Sequence, residues 1–213
     1  MAEGTLCEGL HLVTGPVGSG KSTLALILAG LLNPTEGQVD RDKVSSVMMS
    51  FQHPEYHVTG FTLEEECFSW GLDPDTTLNS VNLSTKKEIS PLKLSRGELK
   101  MLHLECILTR HYDLLILDEP FSSLDCFGKE RISRKLSERT HEITLIFTHE
   151  QSIFPRVDYL WEIQNGQLRA RGKLPDALHR WHSAPLIVKN LILAGKTPRN
   201  LLPEDLKEAL CRT

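Results

Sequence analysis

The chain has 213 residues, 40% of them hydrophobic and 24% charged, with a formal net charge of −4. That composition fits an ordinary globular protein of one domain or two lobes and gives no global pull toward nucleic acid or anionic lipid. The longest apolar runs fall far short of the roughly 18 residues that span a bilayer, and no cationic-then-apolar leader opens the chain, so a cytoplasmic location is expected. Five scattered cysteines without a C-x-x-C spacing imply reduced thiols that pack as small hydrophobes.

In chain order, Leu10-His11-Leu12-Val13 reads as a strand, and Gly15-Pro16-Val17-Gly18-Ser19-Gly20-Lys21-Ser22-Thr23 follows as a glycine-rich loop. A helix is expected from Lys21 to about Leu32, ended by Asn33-Pro34-Thr35-Glu36-Gly37. Val44 to Phe51 is a strand candidate, and Gln52-His53-Pro54-Glu55 a loop. Thr62, with Glu65 three residues on, starts a helix to about Trp70. Residues 71–94 read as loop with little helix. Ser95 opens a helix of about fifteen residues with Leu99, Leu102, Cys106 and Ile107 on its inner face. Asp113 to Leu117 and Ile143 to Phe147 are continuous apolar runs, as buried parallel strands require. Gly128 to Arg139 is an amphipathic helix, and Asn165-Gly166 marks a hairpin between 158–164 and 167–171. Helical stretches end the chain at 175–181, 185–194 and 203–211. The alternation predicts an α/β fold with a mainly parallel central sheet flanked by helices.

Two motifs carry chemistry. Gly15, Gly20, Lys21 and Ser22 meet the phosphate-loop pattern G-x-x-x-x-G-K-[ST]. Its glycines let successive N–H groups face one concavity, and the following helix adds the partial charge of its N-terminus. Lys21 supplies a point charge for β- and γ-phosphates, and the Ser22 hydroxyl can ligate magnesium. Leu114 to Glu119 then carries Asp118 to the carboxyl end of the sheet, where it can orient the same ion, with Glu119 placed to reach an attacking water. A buried strand ending in two solvated acids would look similar on its own; the upstream phosphate loop favours the chemical reading.

Around these motifs the sequence resembles the ATP-binding cassette (ABC) ATPases over residues from about 8 to 175. Leu94-Ser95-Arg96-Gly97-Glu98 is similar to the signature LSGGQ, Ser122-Ser123-Leu124-Asp125 to the D-loop, His149 to the switch histidine and Gln52 to the Q-loop glutamine. The resemblance implies a P-loop NTPase fold, ATP and Mg2+ as ligands, and a head-to-tail pair of subunits. Each ATP would lie between one phosphate loop and the Ser95–Glu98 signature of the other chain. Glu119 would be the base or water-polarising group, His149 would hold the γ-phosphate and the geometry of Glu119, Lys21 the phosphates, and Ser22, Gln52 and Asp118 the metal, with Asp125 in the D-loop. Residues 1–175 would form the nucleotide-binding domain, with Q-loop, helical subdomain and signature helix in 52–110, and 176–213 a helical C-terminal extension.

Within the family, Phe51-Gln52-His53-Pro54-Glu55 followed by Phe61-Thr62-Leu63-Glu64-Glu65 resembles ATPases of the energy-coupling-factor type. Those sit under a membrane subunit on the inner face of the cell membrane and power uptake of vitamins or transition-metal ions. A soluble ABC ATPase without membrane partner, or a nucleotide-binding module in a heterodimer, are the other readings. No nucleic-acid partner is expected. Three departures stand out. Fourteen residues precede Gly15 and none is Phe, Tyr or Trp, so the family's adenine-stacking residue and part of its antiparallel β unit are not found there; weak discrimination between ATP and GTP is expected. Arg96 replaces the first signature glycine and could crowd the site or point away from it. Only about forty residues separate Gln52 from Ser95, which implies a reduced helical subdomain.

Overall fold

A computed structural model describes residues 3–211. Six strands form one sheet: β1 (Gly9–Thr14), β2 (Val47–Ser50), β3 (Leu114–Asp118), β4 (Ile143–Thr148), β5 (Tyr159–Gln164) and β6 (Gln167–Lys173). Their spatial order is β2-β3-β4-β1-β5-β6. The first five run parallel, and β6 returns antiparallel to β5 through the Asn165-Gly166 turn. Every residue of β1 and β3 is buried, as continuous apolar runs in a two-sided sheet require.

The helices are α1 (Lys21–Ala29), α2 (Leu63–Ser69), α3 (Pro74–Ser80), α4 (Arg96–Leu108), α5 (Cys126–Ser137), α6 (Leu186–Leu193) and α7 (Pro203–Cys211). One core layer, with Leu10, Leu12, Leu115, Leu117, Ile132 and Ile146, also takes in Trp181, Val188 and Leu201 from the C-terminal stretch. The other, built on Val13, Ile116 and Phe147, receives Ala25 of α1. Among the described residues no helix is long and apolar enough to cross a membrane, and the five cysteines are free.

Several boundaries differ from the sequence expectation, each for a local reason. Helix α1 stops at Ala29, short of Leu32, because Gly30 turns left-handed (φ 79°) and its N–H returns to the carbonyls of Ile27 and Leu26. Arg41 then takes the Leu28 and Ile27 carbonyls at 3.1 and 2.6 Å. Strand β2 begins at Val47 rather than Val44, since Ser45 and Ser46 instead give their amides to the Asp113 carboxylate. Helix α5 starts at Cys126 rather than Gly128, because Asp125 caps it by accepting from the Gly128 amide at 2.7 Å.

The largest correction lies in residues 71–94, which hold more than loop. Asp73 caps α3 by accepting from the Thr76 amide, and Pro74 occupies its first position, where a missing N–H costs nothing. Leu78, Val81 and Leu83 then pack with Leu63, Cys67, Leu102 and Cys106 into a separate core. Helices α2, α3 and α4 thus form a small helical subdomain with its own apolar centre. Leu78 is fully buried there, whereas Leu186 is mostly exposed. Leu78→Ala should therefore cost about 2–4 kcal/mol of stability and Leu186→Ala within about 0.5 kcal/mol, measured by urea unfolding.

Candidate nucleotide site

Strand β4 pairs with both β1 and β3, with Thr14 opposite Thr148 and Asp118 opposite Phe147. This register brings the loop after β1, the acids after β3 and the histidine after β4 to one sheet edge, the edge where open α/β folds bind ligands. Gly18 and Gly20 adopt φ of 78° and 92°, values that a side chain would strain. Gly20 is also the N-cap of α1 and offers no side chain to its first turn. The helix start therefore presents amides to the loop, an arrangement suited to an anion. Lys21 is buried, and its Nζ donates to the carbonyls of Gly15 and Pro16 at 2.9 and 3.0 Å.

Asp118 is buried, and its Oδ1 has no hydrogen-bond partner. Burial pushes its carboxyl above the usual carboxylate range, partly offset by the adjacent Ser22 hydroxyl. An unpartnered buried carboxylate oxygen beside a hydroxyl fits a hard divalent cation. Among the described residues no group of three or more His, Cys, Asp or Glu could hold an ion. Such a cation would take its remaining ligands from phosphate and water, as magnesium does.

Glu119 has φ 49°, an uncommon value for a residue with a side chain. The turn is held by its N–H on the Phe147 carbonyl at 2.8 Å and by the Ser122 hydroxyl on its own carbonyl. Its Oε2 accepts from Thr148 Oγ1 at 2.9 Å, and its Oε1 accepts from the His149 amide at 3.0 Å. His149 Nδ1 lies 2.6 Å from the same Oε1; an ionised carboxylate only accepts, so the ring donates. His149 keeps 54% of its side chain exposed.

The signature segment sits at the start of α4. Ser95 Oγ accepts from the Glu98 amide at 3.3 Å, and Glu98 Oε2 accepts from the Ser95 amide at 2.9 Å, a reciprocal capping box. Glu98 also pairs with Lys86 at 2.6 Å, and that bond, with those from Ser95, holds its carboxyl down at about 2. Gly97 is required by contact: a Cβ there would lie 2.7 Å from the Ser123 carbonyl. Arg96 turns aside to pair with Glu55 at 3.6 Å, its side chain 59% exposed. Among the described residues no hydrogen bond or ion pair joins residues 95–98 to 15–23. Gln52 is exposed in the loop after β2, and its carbonyl accepts from Lys100 at 3.3 Å. Asp125 serves as the cap of α5. The structure thus brings Lys21, Ser22, Asp118, Glu119 and His149 to one edge, while the signature shares no hydrogen bond or ion pair with the phosphate loop among the described residues.

Lys100 escaped the sequence reading. It stands at an inward position of α4 with no motif to mark it, and only its buried contacts reveal it.

A phosphate loop, a strand-end acid pair and a strand-end histidine on one parallel-sheet edge define a P-loop nucleoside triphosphatase. Residues 7–122, more than half of the chain, match the family model described as ABC transporter. The chain belongs to the ABC transporter family and is an ATPase of that family. It is 28% identical over 230 residues to the energy-coupling factor transporter ATP-binding protein EcfA2 of Thermotoga maritima, covering 95% of this chain and 86% of the relative. It is 32% identical over 192 residues to EcfA1 of the same organism, covering 80% and 74%. The fold matches a solved structure described as a cobalt transport ATP-binding protein (cbiO-2), with TM-score 0.62, 21% identity, and 79% and 70% of the two chains covered. It also matches a bacterial Atm1-family ABC exporter with ATP bound, with TM-score 0.65, 22% identity, and 82% and 36% covered.

The raised pKa of Asp118 gives a signed prediction. Its native form binds a proton more readily than the unfolded chain, where the value is about 3.8, so its contribution to stability falls as pH rises through that range. Asp118→Asn should raise the melting temperature of the nucleotide-free protein at pH 7.5, with a gain that shrinks toward pH 4, while hydrolysis falls by about 100-fold or more. A lower melting temperature at pH 7.5 would contradict this placement of Asp118.

Proposed function

We propose that this chain is the ATP-binding and ATP-hydrolysing subunit of an energy-coupling-factor type importer, working as a head-to-tail pair beneath a membrane subunit on the cytoplasmic face. The observation that carries the transport reading is an exposed aromatic set beside the Q-loop. Tyr56 is 75% exposed, Phe61 86% and Phe68 61%, on the loop and helix that follow Gln52. Exposed aromatics grouped near one element mark a protein contact more often than chance. The likeness to EcfA1 and EcfA2 over most of both chains supports the same class. A vitamin or a transition-metal ion is the proposed solute.

The residues divide the chemistry as follows. The β- and γ-phosphates of ATP draw Lys21 away from the Gly15 and Pro16 carbonyls to which it donates. The loop from Gly15 through Pro16, Val17, Gly18, Ser19 and Gly20 to Thr23 wraps the phosphates with its amides. Ser22, Asp118 and Gln52 would hold magnesium, which neutralises phosphate charge when bound. Glu119 exchanges its bond with His149 for one with the attacking water, while Thr148 keeps the other carboxylate oxygen in place. His149, freed and largely exposed, turns to the γ-phosphate.

The second half of the site comes from another subunit. The Arg96 and Gly97 amides stand at the N-terminus of α4 with no hydrogen bond among the described residues, and the Ser95 hydroxyl is engaged within its capping box. Those groups suit a γ-phosphate presented by a partner. Arg96, paired with Glu55, leaves that approach open.

Purification from detergent-solubilised membranes tests the transport reading. A small integral-membrane protein should co-purify with the wild-type chain, and its recovery should fall at least about tenfold for the Tyr56→Ala, Phe61→Ala double variant, whose nucleotide binding should stay unchanged. A wild-type chain found wholly in the soluble fraction, without such a partner, would count for a soluble ABC ATPase instead.

A further inference from the structure

The loop after β2 is pinned by the buried Lys100 and the half-buried His57. Strand β2 ends its pairing with Ser50 opposite Leu117 of β3, so the next peptide groups have no ladder to join. The Phe51 N–H donates to His57 Nε2 at 3.1 Å, and the Phe51 carbonyl accepts from Lys100 Nζ at 3.0 Å. The same ammonium reaches the Gln52 carbonyl at 3.3 Å. His57 is kept in place by stacking on Phe51 and on His103, with centroids 4.7 and 4.1 Å away.

Lys100 is 1% exposed and lies one turn after Arg96 on α4. Residues four apart share a helix face. Arg96 pairs with Glu55 while Lys100 holds Phe51 and Gln52, so two cations on one face of the signature helix grip both ends of the 51–55 loop. Burying an ammonium is costly, and an apolar side chain of similar volume would fill this space without that cost. Two carbonyls and the nearby carboxylates of Asp118, Glu119 and Glu55 offset it, although burial still draws the Lys100 pKa down to about 8. The cation therefore touches the Q-loop backbone on one side and feels the site's acid pair on the other.

We infer that Lys100 is a positioning residue that ties the Q-loop to the signature helix, so that where α4 stands sets where Gln52 stands. A phosphate engaging the start of α4 from another subunit would then be felt at Gln52 through one rigid strut. This inference rests on the functional reading above for its consequence in hydrolysis, but not for the strut itself.

The test compares Lys100→Met with Lys100→Arg in the full chain. In the nucleotide-free protein, Lys100→Met should speed hydrogen exchange of the 51–57 segment by about tenfold, leaving the sheet strands unchanged. In steady-state hydrolysis it should lower kcat by about tenfold or more with KM for ATP within about threefold, and Lys100→Arg should recover part of both effects. Unchanged exchange at 51–57 would overturn the strut. Faster exchange with unchanged kcat would overturn its role in positioning Gln52. Acceleration spread over every segment, unrelieved by Lys100→Arg, would reduce Lys100 to a structural residue. If Lys100→Met does not fold, Lys100→Gln, which keeps one donor group, takes its place with the same criteria. A wild-type chain that hydrolyses no ATP would refute the functional reading while the exchange arm still decides the strut.

Discussion

The position of β4 between β1 and β3 is the constraint on which the site depends. Because its register fixes Thr14 beside Thr148 and Phe147 beside Asp118, three loops with unrelated sequences are forced to one edge. A shift of one residue in either ladder would turn every side chain of the strand to the opposite face. It would bury Leu145 and Ile146 in the wrong layers and carry Asp118 away from Ser22. The apolar packing of both layers therefore also sets the geometry of the acids.

The groups that would meet nucleotide are satisfied within the chain or left costly. Lys21 binds its own loop carbonyls, and Glu119 binds Thr148 and His149. These contacts satisfy the buried ammonium and carboxylate with hydrogen bonds. Two buried oxygens of these groups are unpartnered, that of the Ser19 hydroxyl and one of the Asp118 carboxylate. A chain shaped only for stability would not keep the Asp118 oxygen so, and the left-handed backbone of Glu119 is a second such expense. Both sit where the family's chemistry would use them.

What the sequence made legible follows the range of the interactions involved. The loop from Gly15 to Thr23 could be read because its chemistry is local and fixed by spacing, and the strands Leu114–Asp118 and Ile143–Thr148 because they are continuous apolar runs. The candidate residues Glu119 and His149 could be named, and the family resemblance already tied His149 to the geometry of Glu119, but the atoms that meet across thirty positions needed coordinates. Helix α3 was missed although Asp73-Pro74 is a start signal, since its polar composition hid the apolar spacing of Leu78 and Val81. The direction of Arg96 depended on Glu55, and the role of Lys100 on Phe51, partners that no local pattern predicts. Asp125 was legible as a D-loop acid, while its work as the cap of α5 needed coordinates.

Among the described residues, 95–98 share no hydrogen bond or ion pair with 15–23, and a composite site completed by a second chain is the central proposal. Sedimentation of the Glu119→Gln variant, with and without ATP and magnesium, tests it most directly, since loss of the base should trap the closed pair. A nucleotide sandwich predicts a single-chain mass without nucleotide, about twice that mass with both ligands, and no such doubling when Gly97 is also changed to a bulky residue. A chain that remains at the mass of one subunit under saturating ATP and magnesium would contradict it.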